Sequence, residues 1–309
     1  MQNIYDLIII GSGPAGLSAA IYAQRACLNA IVLEKDGESG GQITQTFQVD
    51  NYPGLPGVSG SALAQSMREH AEQLGAQFVQ DEVTSAALTG EVKTLFGRKA
   101  QYRAYSVILA MGAHHRTLDI PGEDRLAGRG VSYCALCDGG FFRDQEVVVV
   151  GGGDSALTDA LYLSRIASHV LLVHRRNELR GSKDLQEKIK NCNNIEICWN
   201  TVLDSIDGES SVTQVMLKSV KTGVMTEYPC SGVFIAAGIV PEAALVQDLV
   251  DISPEGYILA GEDTQTSLAG VFAAGDIRRK NLRQVVTAAA DGANAVNEAE
   301  KYLQTLDIR

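Results

Sequence analysis

The order strand, glycine-rich turn, helix, strand occurs twice in this chain, and no other sequence feature limits its fold as much. In the first copy the apolar segment Leu7–Ile10 leads into the turn Gly11–Gly16, and a second apolar strand follows at Ala30–Glu34. Residues 147–174 repeat this order. Each copy is typical of a parallel sheet with a crossover helix. We therefore predict an α/β fold with two related, Rossmann-like nucleotide-binding domains.

Three further apolar strands indicate how the two domains are connected. They end in small residues and glycine and span residues 107–112, 233–238 and 271–276. The first two bracket the second glycine-rich turn, and we interpret them as the crossings between domains because glycine, Pro121 and Pro241 permit sharp changes of direction. A chain of 309 residues is long enough for two domains. We predict a second domain, residues 114–242, inserted into a first domain made of residues 1–113 and 243–309.

Both glycine-rich turns are suited to a pyrophosphate group. Glycine lets the backbone turn tightly and approach the ligand, which then lies at the N–H groups that open the following helix. A single turn of this kind is weak evidence, but here each copy has its strand before, its helix after and its second strand at the right distance. The predicted binding residues are Gly11, Ser12, Gly13, Pro14, Ala15 and Gly16 in the first turn, and Gly151, Gly153, Asp154, Ser155 and Ala156 in the second.

The last residue of each second strand distinguishes the two ligands. Glu34 and His174 both lie 23 residues beyond the first glycine of their turns (11 to 34 and 151 to 174). A carboxylate at that place accepts hydrogen bonds from ribose hydroxyls and repels a 2′-phosphate, so the first site suits FAD or NAD. In the second copy Arg175, Arg176 and Arg180 follow His174. Guanidinium groups bind a 2′-phosphate through charge-assisted hydrogen bonds, so we predict NADPH there.

A closely spaced cysteine pair lies between the two turns. Cys134 and Cys137 form a CxxC motif, which can close a small disulfide and in which a thiolate can have a lowered pKa. No second CxxC and no HxxxH motif accompanies it, so we expect no ordinary tetrahedral zinc site. Asp138 follows directly and is a candidate acid/base, because disulfide exchange both releases and consumes protons. We expect the remaining cysteines to be buried small hydrophobes: Cys27, Cys192, Cys198 and Cys230.

Composition excludes several classes of protein. A net charge of −11 argues against a nucleic-acid partner, which requires clustered lysine and arginine. No apolar run approaches the roughly 18 residues of a membrane helix. The first apolar strand begins near Ile4, so we expect no targeting leader. Six cysteines are too few for a secreted disulfide scaffold, and a cytoplasmic location is expected.

With these motifs in order, the chain resembles the bacterial low-molecular-weight thioredoxin reductases over essentially its whole length. Any one motif is unspecific, but the ordered set is highly specific. It comprises Gly11–Gly16, Gly40–Ile43, Asn51–Gly54, Cys134–Asp138, Gly151–Ala156, His174–Arg180, Gly275-Asp276 and Arg283-Gln284.

The resemblance implies a set of FAD contacts. FAD is expected along the first turn and Glu34, with Gln42 and Asn51 near the isoalloxazine ring. Asp276 is expected to hold the ribityl chain. The full set outside the turn is Glu34, Lys35, Gly41, Gln42, Asn51, Gly275, Asp276, Arg283 and Gln284.

The resemblance also implies the path of the electrons. They are expected to pass from NADPH through FAD to the cysteine pair and then to oxidised thioredoxin. Cys137 is the sulfur next to the flavin, Cys134 attacks the partner and Asp138 is the acid/base. The family further implies a homodimer whose domains rotate. Leu136, Thr158-Asp159 and Glu242 depart from the usual family pattern without removing an essential chemical group.

Other functions remain open at this point. A flavin-dependent dithiol oxidase would not need Arg175 and Arg176, and a ferredoxin-driven reductase would lack the intact second turn. The disulfide of a different small protein is an alternative substrate. From another class, the chain would be a non-catalytic, redox-sensing protein that binds a partner according to nucleotide occupancy.

Overall fold

The computed structural model describes residues 4–46 and 48–306. It divides into two compact units, the first made of residues 1–114 and 240–309 and the second of residues 115–239. Each unit is described by itself. The strands, in chain order, are β1 (Ile4–Ile10), β2 (Ala30–Glu34), β3 (Gln77–Gln80), β4 (Val83–Ala87), β5 (Lys93–Gly97), β6 (Gln101–Leu109), β7 (Ala113–His115), β8 (Val131–Ser132), β9 (Glu146–Val150), β10 (His169–His174), β11 (Ile195–Trp199), β12 (Thr201–Asp207), β13 (Gln214–Ser219), β14 (Met225–Pro229), β15 (Gly232–Ile235), β16 (Ile239–Pro241) and β17 (Val271–Ala273).

The helices are fewer and differ widely in length. They are α1 (Pro14–Arg25), α2 (Gly60–Gln73), α3 (Glu123–Leu126), α4 (Ala135–Asp138), α5 (Asp154–Leu163), α6 (Lys183–Lys190) and α7 (Val285–Thr305). Short 3-10 turns cover Gly41–Gln45, Gly139–Phe142, Ala244–Val246 and Gly275–Ile277.

The first unit is built on a seven-stranded sheet. Six of its strands lie in the order β3-β2-β1-β6-β5-β4, and the seventh, β17, pairs with β6. Strands β1, β2, β3 and β6 are parallel, whereas β4 and β5 add an antiparallel edge. The last part of β6 leaves β5 and pairs instead with β17 in parallel. The apolar strands predict this arrangement, because a central parallel strand is covered on both faces and so carries continuous apolar residues.

Close packing of small side chains holds α1 and α7 against this sheet. Ala15, Ala19 and Ala23 on α1 and Ala295 and Ala299 on α7 belong to one buried cluster. The helix α7 begins with a capping box, in which the Gln284 side chain accepts the Thr287 N–H and the Thr287 hydroxyl accepts the Gln284 N–H. This cap fixes where Gln284 lies.

The second unit has a five-stranded parallel sheet with the order β11-β10-β9-β15-β8 and a separate antiparallel sheet β12-β13-β14. The predicted α/β class, with two Rossmann-like units, is confirmed. The strands interpreted as crossings lie inside the sheets, as β6 and β15. The chain passes between the units a few residues later, at β7 and β16.

Candidate active site

The first glycine-rich turn joins the end of β1 to the start of α1. Gly11 has a φ of +104°, a conformation that strongly favours glycine. A Cβ atom at Gly16 would collide with the Gly11 carbonyl oxygen. Gly13 caps α1, and Pro14 opens it, where the missing proline N–H costs no helix hydrogen bond. These residues therefore bring the helix N-terminus to the strand end, which is the geometry that a pyrophosphate requires.

Two distant segments pack against this turn. The Gly40 N–H donates to the Ser12 carbonyl oxygen at 2.8 Å, which places Gly41 and Gln42 beside the turn. From the other end of the sequence, Gly275 lies so close to Ala15 that a Cβ there would approach the Ala15 methyl to 2.9 Å. The structure thus brings together three of the segments to which the sequence assigns FAD.

Unpaired buried polar atoms mark this region as a ligand site. Within residues 4–46 and 48–306, Asp276 Oδ1 and Arg283 Nε are the buried side-chain polar atoms without a hydrogen-bonding partner. Burial raises the pKa of Asp276 despite the nearby Lys280 and Arg283. Asn51 Nδ2 donates to Gln284 Oε1 at 2.9 Å, which joins two more predicted contacts. Buried polar groups normally have hydrogen-bonding partners. A ribityl hydroxyl of FAD would supply one for Asp276, and the polar edge of the flavin ring would supply one for Arg283.

Glu34 is buried at the end of β2, and it already has protein partners. Arg68 Nη1 on α2 lies 3.1 Å from Glu34 Oε1, and the Ser39 hydroxyl donates to Glu34 Oε2 at 3.0 Å. The Arg68 guanidinium also lies over the Phe78 ring, 3.4 Å from its centre. Sequence reasoning missed Arg68, which holds the Glu34 carboxylate in place. Lys35, a predicted FAD contact, is paired within the protein, with its Nζ 3.2 Å from Glu82 Oε1.

A buried ion network supports the Gly275-Asp276 turn. Asp291 on α7 accepts the Gly275 N–H at 2.9 Å and pairs with Arg278 Nη2 at 2.7 Å and Lys280 Nζ at 2.9 Å. Burial alone raises the pKa of Asp291, but the hydrogen bonds and charges of Arg278 and Lys280 outweigh it, so its pKa is lowered. No sequence signal pointed to this network.

The second glycine-rich turn is built in the same way between β9 and α5. Gly151 has a φ of +154°. A Cβ at Gly152 would collide with the buried His174 ring, so His174 packs directly beneath the turn. Burial lowers the pKa of His174, and its ring Nε2 donates to the Glu178 carbonyl oxygen at 3.0 Å. His174 is therefore a support of the turn as well as a predicted contact.

The arginine segment is tied to this turn by backbone hydrogen bonds. The Arg180 N–H donates to the Gly152 carbonyl oxygen at 2.7 Å. Arg175, Arg176 and Arg180 are all exposed at the end of β10. Three exposed guanidiniums beside a pyrophosphate-type turn fit the 2′-phosphate of NADPH. The carboxylate of Asp154 is engaged within the protein, accepting the Ser182 N–H at 2.7 Å.

The cysteine pair forms a disulfide in the second unit, with the two Cα atoms 5.2 Å apart. Cys134 caps the one-turn helix α4, and its Sγ accepts the Cys137 N–H at 3.1 Å. A hydrogen bond of this kind stabilises negative charge on that sulfur once the disulfide is reduced. Leu136, between the cysteines, is exposed.

Asp138 at the end of α4 is a perturbed carboxyl group. Burial raises its pKa, and a hydrogen bond from the Ser132 hydroxyl, 2.6 Å from Asp138 Oδ2, opposes that change. On the neighbouring helix α5, burial also raises the pKa of Asp159 to about 6. Raised carboxyl pKa values are typical of acid/base groups at functional sites.

Of the other cysteines, Cys230 is buried, and Cys192 and Cys198 are partly buried. The expectation of burial is wrong for Cys27, which is exposed in the turn after α1 with a φ of +55°. In the described part of the chain, no three His, Cys, Asp or Glu side chains form a group that would hold a metal ion. That same part has no helix with the length and apolar character needed to cross a membrane.

Comparison with known proteins agrees with this geometry. The family model described as pyridine nucleotide-disulphide oxidoreductase matches residues 5–292. The chain is 46% identical to a thioredoxin reductase of Peptoclostridium acidaminophilum over 98% of both chains. It is also 46% identical to a bifunctional thioredoxin reductase/thioredoxin of Mycobacterium leprae, over 98% of this chain and 66% of that protein. The thioredoxin reductase structure of Streptococcus pyogenes superposes with a TM-score of 0.95 at 42% identity, covering 99% of this chain and 100% of that chain.

The chain therefore belongs to the pyridine nucleotide-disulphide oxidoreductase family, and it is an enzyme. Within that family, the full-length relatives from Peptoclostridium acidaminophilum and Streptococcus pyogenes are thioredoxin reductases. The predicted function, that of a thioredoxin reductase with FAD and NADPH as cofactors, is confirmed. The roles of single residues and the assignment of one cofactor to each unit remain predictions.

Proposed function

We propose that this enzyme reduces the disulfide of oxidised thioredoxin with electrons from NADPH, and that the Cys134–Cys137 pair delivers them. The observation that carries the proposal is that disulfide, which lies at the start of α4 in the unit that also holds the second glycine-rich turn. When bound, FAD accepts a hydride from NADPH and passes two electrons to a disulfide. The Mycobacterium leprae relative, named for both a thioredoxin reductase and a thioredoxin, supports thioredoxin as the partner.

The exchange with the partner needs only the cysteines and Asp138. In the dithiol form, ionised Asp138 accepts the proton of Cys134, whose thiolate attacks one sulfur of the partner disulfide. The bond between the partner sulfurs breaks, and the released thiolate takes the proton from Asp138. The cycle repeats with Cys137, which attacks Cys134 Sγ, reforms the disulfide and releases the second partner thiol. Two thiols are oxidised, one disulfide is reduced and Asp138 ends ionised.

We assign the attack to Cys134 because its Sγ receives the Cys137 N–H. This hydrogen bond favours the thiolate, which is the nucleophile in such reactions. In the first unit, the turn Gly11–Gly16, Asp276 and Glu34 would hold FAD. In the second unit, the turn Gly151–Ala156 and the arginine segment would hold NADPH.

The test is NADPH oxidation by the FAD-loaded protein, with and without oxidised thioredoxin, in air and without oxygen. Consumption that requires thioredoxin and ignores oxygen supports the proposal. Consumption that tracks oxygen indicates a dithiol oxidase, and consumption with a different small disulfide protein alone indicates another substrate. A protein that retains FAD and never turns over would be the redox-sensing alternative.

The arginine assignment leads to a separate prediction. Replacing Arg175 and Arg176 together with alanine is expected to raise the KM for NADPH by at least roughly a hundredfold, because two charge-assisted hydrogen bonds of at least about 1.5 kcal/mol each are lost. The KM for NADH should change little. Steady-state kinetics with both nucleotides measures this, with Arg165→Ala as the control, since Arg165 is also exposed in this unit but follows the far end of α5. Equal increases for both nucleotides would show that these arginines do not bind the 2′-phosphate.

The assembly and location of the enzyme are also proposals. The resemblance to the thioredoxin reductases supports a homodimer, which light scattering coupled to size exclusion would test. The small number of cysteines, with a single disulfide that is itself the redox pair, supports a cytoplasmic location.

A further inference from the structure

Ser132 occupies a fixed position between the redox pair and Asp138. It is the last residue of β8, an edge strand that pairs in parallel with β15 through Ser132 and Phe234. Only 4% of its surface is exposed. The sheet therefore fixes the Ser132 backbone, and burial keeps water from competing for its hydroxyl.

The Ser132 hydroxyl has three partners within hydrogen-bonding distance. Its oxygen accepts the Cys134 N–H at 3.1 Å. Its single hydrogen has two acceptors in reach, Asp138 Oδ2 at 2.6 Å and the Cys134 carbonyl oxygen at 3.3 Å. A hydroxyl rotates to suit its surroundings and offers one donor and two acceptor lone pairs. The shorter distance identifies Asp138 as the acceptor while its carboxylate is ionised.

The proposed exchange needs Asp138 to be charged and neutral in turn. A buried carboxyl group that changes charge requires a partner in both states, since an unsatisfied buried group is costly. A partner that only donates, such as a backbone N–H, can bond to a carboxyl oxygen in either state but leaves the O–H of the neutral acid without an acceptor. A hydroxyl serves both, because it donates to the carboxylate and accepts from the neutral acid.

We propose that Ser132 is a positioning residue whose hydroxyl hydrogen turns from Asp138 to the Cys134 carbonyl oxygen whenever Asp138 takes up a proton. The inference rests on the proposed role of Asp138 in thiol–disulfide exchange. In the neutral state, the carboxyl O–H of Asp138 donates to Ser132 Oγ. No covalent bond changes at Ser132, and it neither keeps nor loses a proton over the cycle.

Ser132 is the hydrogen-bonding partner of the Asp138 carboxyl group in the described structure. Burial raises the pKa of Asp138, and the hydrogen bond from Ser132 opposes that change. The helix α5, which packs against α4, carries the titratable groups Asp154, Asp159 and Tyr162 on its exposed and partly buried positions. Of these, the Tyr162 ring lies beside Gly139.

The test is a pH titration of the Asp138 carboxyl group by infrared difference spectroscopy on the FAD-loaded protein. The protonated carboxyl band is identified by its loss in Asp138→Asn. In Ser132→Ala, the midpoint is expected to rise by roughly one pH unit, because the ionised form loses a charge-assisted hydrogen bond whereas the neutral acid loses a weaker one. Ser132→Thr keeps a hydroxyl and is expected to return the midpoint close to that of the wild type.

Ser164→Ala is the matched control. Ser164 is partly buried in the same unit and donates to the Leu161 carbonyl oxygen at 2.9 Å, so it loses a hydroxyl hydrogen bond away from α4. In Ser164→Ala, the midpoint of the Asp138 titration should equal that of the wild type. The FAD content and melting temperature of all variants show that they are folded.

Two results would overturn the proposal. One is a Ser132→Ala midpoint equal to that of the wild type, and the other is an equal shift in Ser132→Ala and Ser132→Thr, which would assign the effect to packing. The titration uses no partner protein, so it stands even if thioredoxin proves to be the wrong substrate. With thioredoxin present, the limb of the pH–rate profile that Asp138→Asn removes should move upward in Ser132→Ala by the same amount.

Discussion

Cys134→Ser is expected to abolish thioredoxin-dependent NADPH oxidation while NADPH still bleaches the flavin absorbance. The serine hydroxyl is not ionised near neutral pH and cannot close a disulfide with Cys137, so the attack on the partner has no nucleophile. Loss of the nucleophile in a covalent mechanism lowers turnover by at least about a thousandfold. The half-reaction that reduces the flavin depends on the two nucleotide sites and does not require Cys134.

Stopped-flow absorbance measures the flavin step, and coupled NADPH oxidation measures turnover. Cys192→Ser is the matched control, because Cys192 is a partly buried cysteine of the same unit outside the disulfide. It should retain normal turnover. Normal turnover by Cys134→Ser would instead mean that another group reduces the partner.

Asp291→Asn is expected to lower the free energy of unfolding by about 3–5 kcal/mol, the usual cost of removing one partner from a buried ion pair. The side chains of Asp291, Arg278 and Lys280 are 4%, 4% and 6% exposed, so solvent screens this network little. The neutral amide would remove the carboxylate that pairs with Lys280 and leave Arg278 with the exposed Glu262, at 3.6 Å. The substitution would also weaken the hydrogen bond from the Gly275 N–H to residue 291. Because the Gly275-Asp276 turn is a predicted FAD contact, FAD should dissociate more readily.

The same substitution should change how stability depends on pH. The pKa of Asp291 is lowered in the folded protein, so its contribution is fully present above the unfolded value of about 3.9 and is lost as pH falls through the folded value. Asp291→Asn should remove this part of the acid sensitivity. Urea unfolding at a fixed FAD concentration, from neutral to acid pH, measures both effects.

Glu298→Gln on the same helix is the control for Asp291→Asn. Its partner Lys301 is 62% exposed, and pairs of this kind contribute about 1 kcal/mol or less. An Asp291→Asn protein as stable as this control would show that the buried network contributes little to the fold.

Much of the fold was predictable because its signals are local. A glycine-rich turn between an apolar strand and a helix depends on backbone geometry over a few residues. The spacing to Glu34 and His174 reflects the fixed length of a strand–helix–strand unit. Cys134, Cys137 and Asp138 are neighbours in the chain, so their proximity required no knowledge of the fold.

The local pattern was less informative about surroundings. Glu34 was interpreted only as a carboxylate that accepts hydrogen bonds from a ribose, and the local pattern gave no sign of its pairing with Arg68, which is 34 residues away in sequence. Cys27 was expected to be buried because cysteines outside disulfides usually are, but it lies in an exposed turn. Both cases depend on which surface faces the core, and a single residue type does not determine that.

The sequence by itself determined the α/β class, the two glycine-rich turns and the redox cysteine pair. Each of these depends on residues close together in the chain, whose relative positions are limited by helix and strand geometry. The tertiary structure alone decided the partners of the functional groups: Arg68 for Glu34, Asp291 for the Gly275 turn and Ser132 for Asp138. These contacts form only when separate elements pack together and exclude water, because burial makes each hydrogen bond and ion pair strong enough to fix a side chain and shift its pKa.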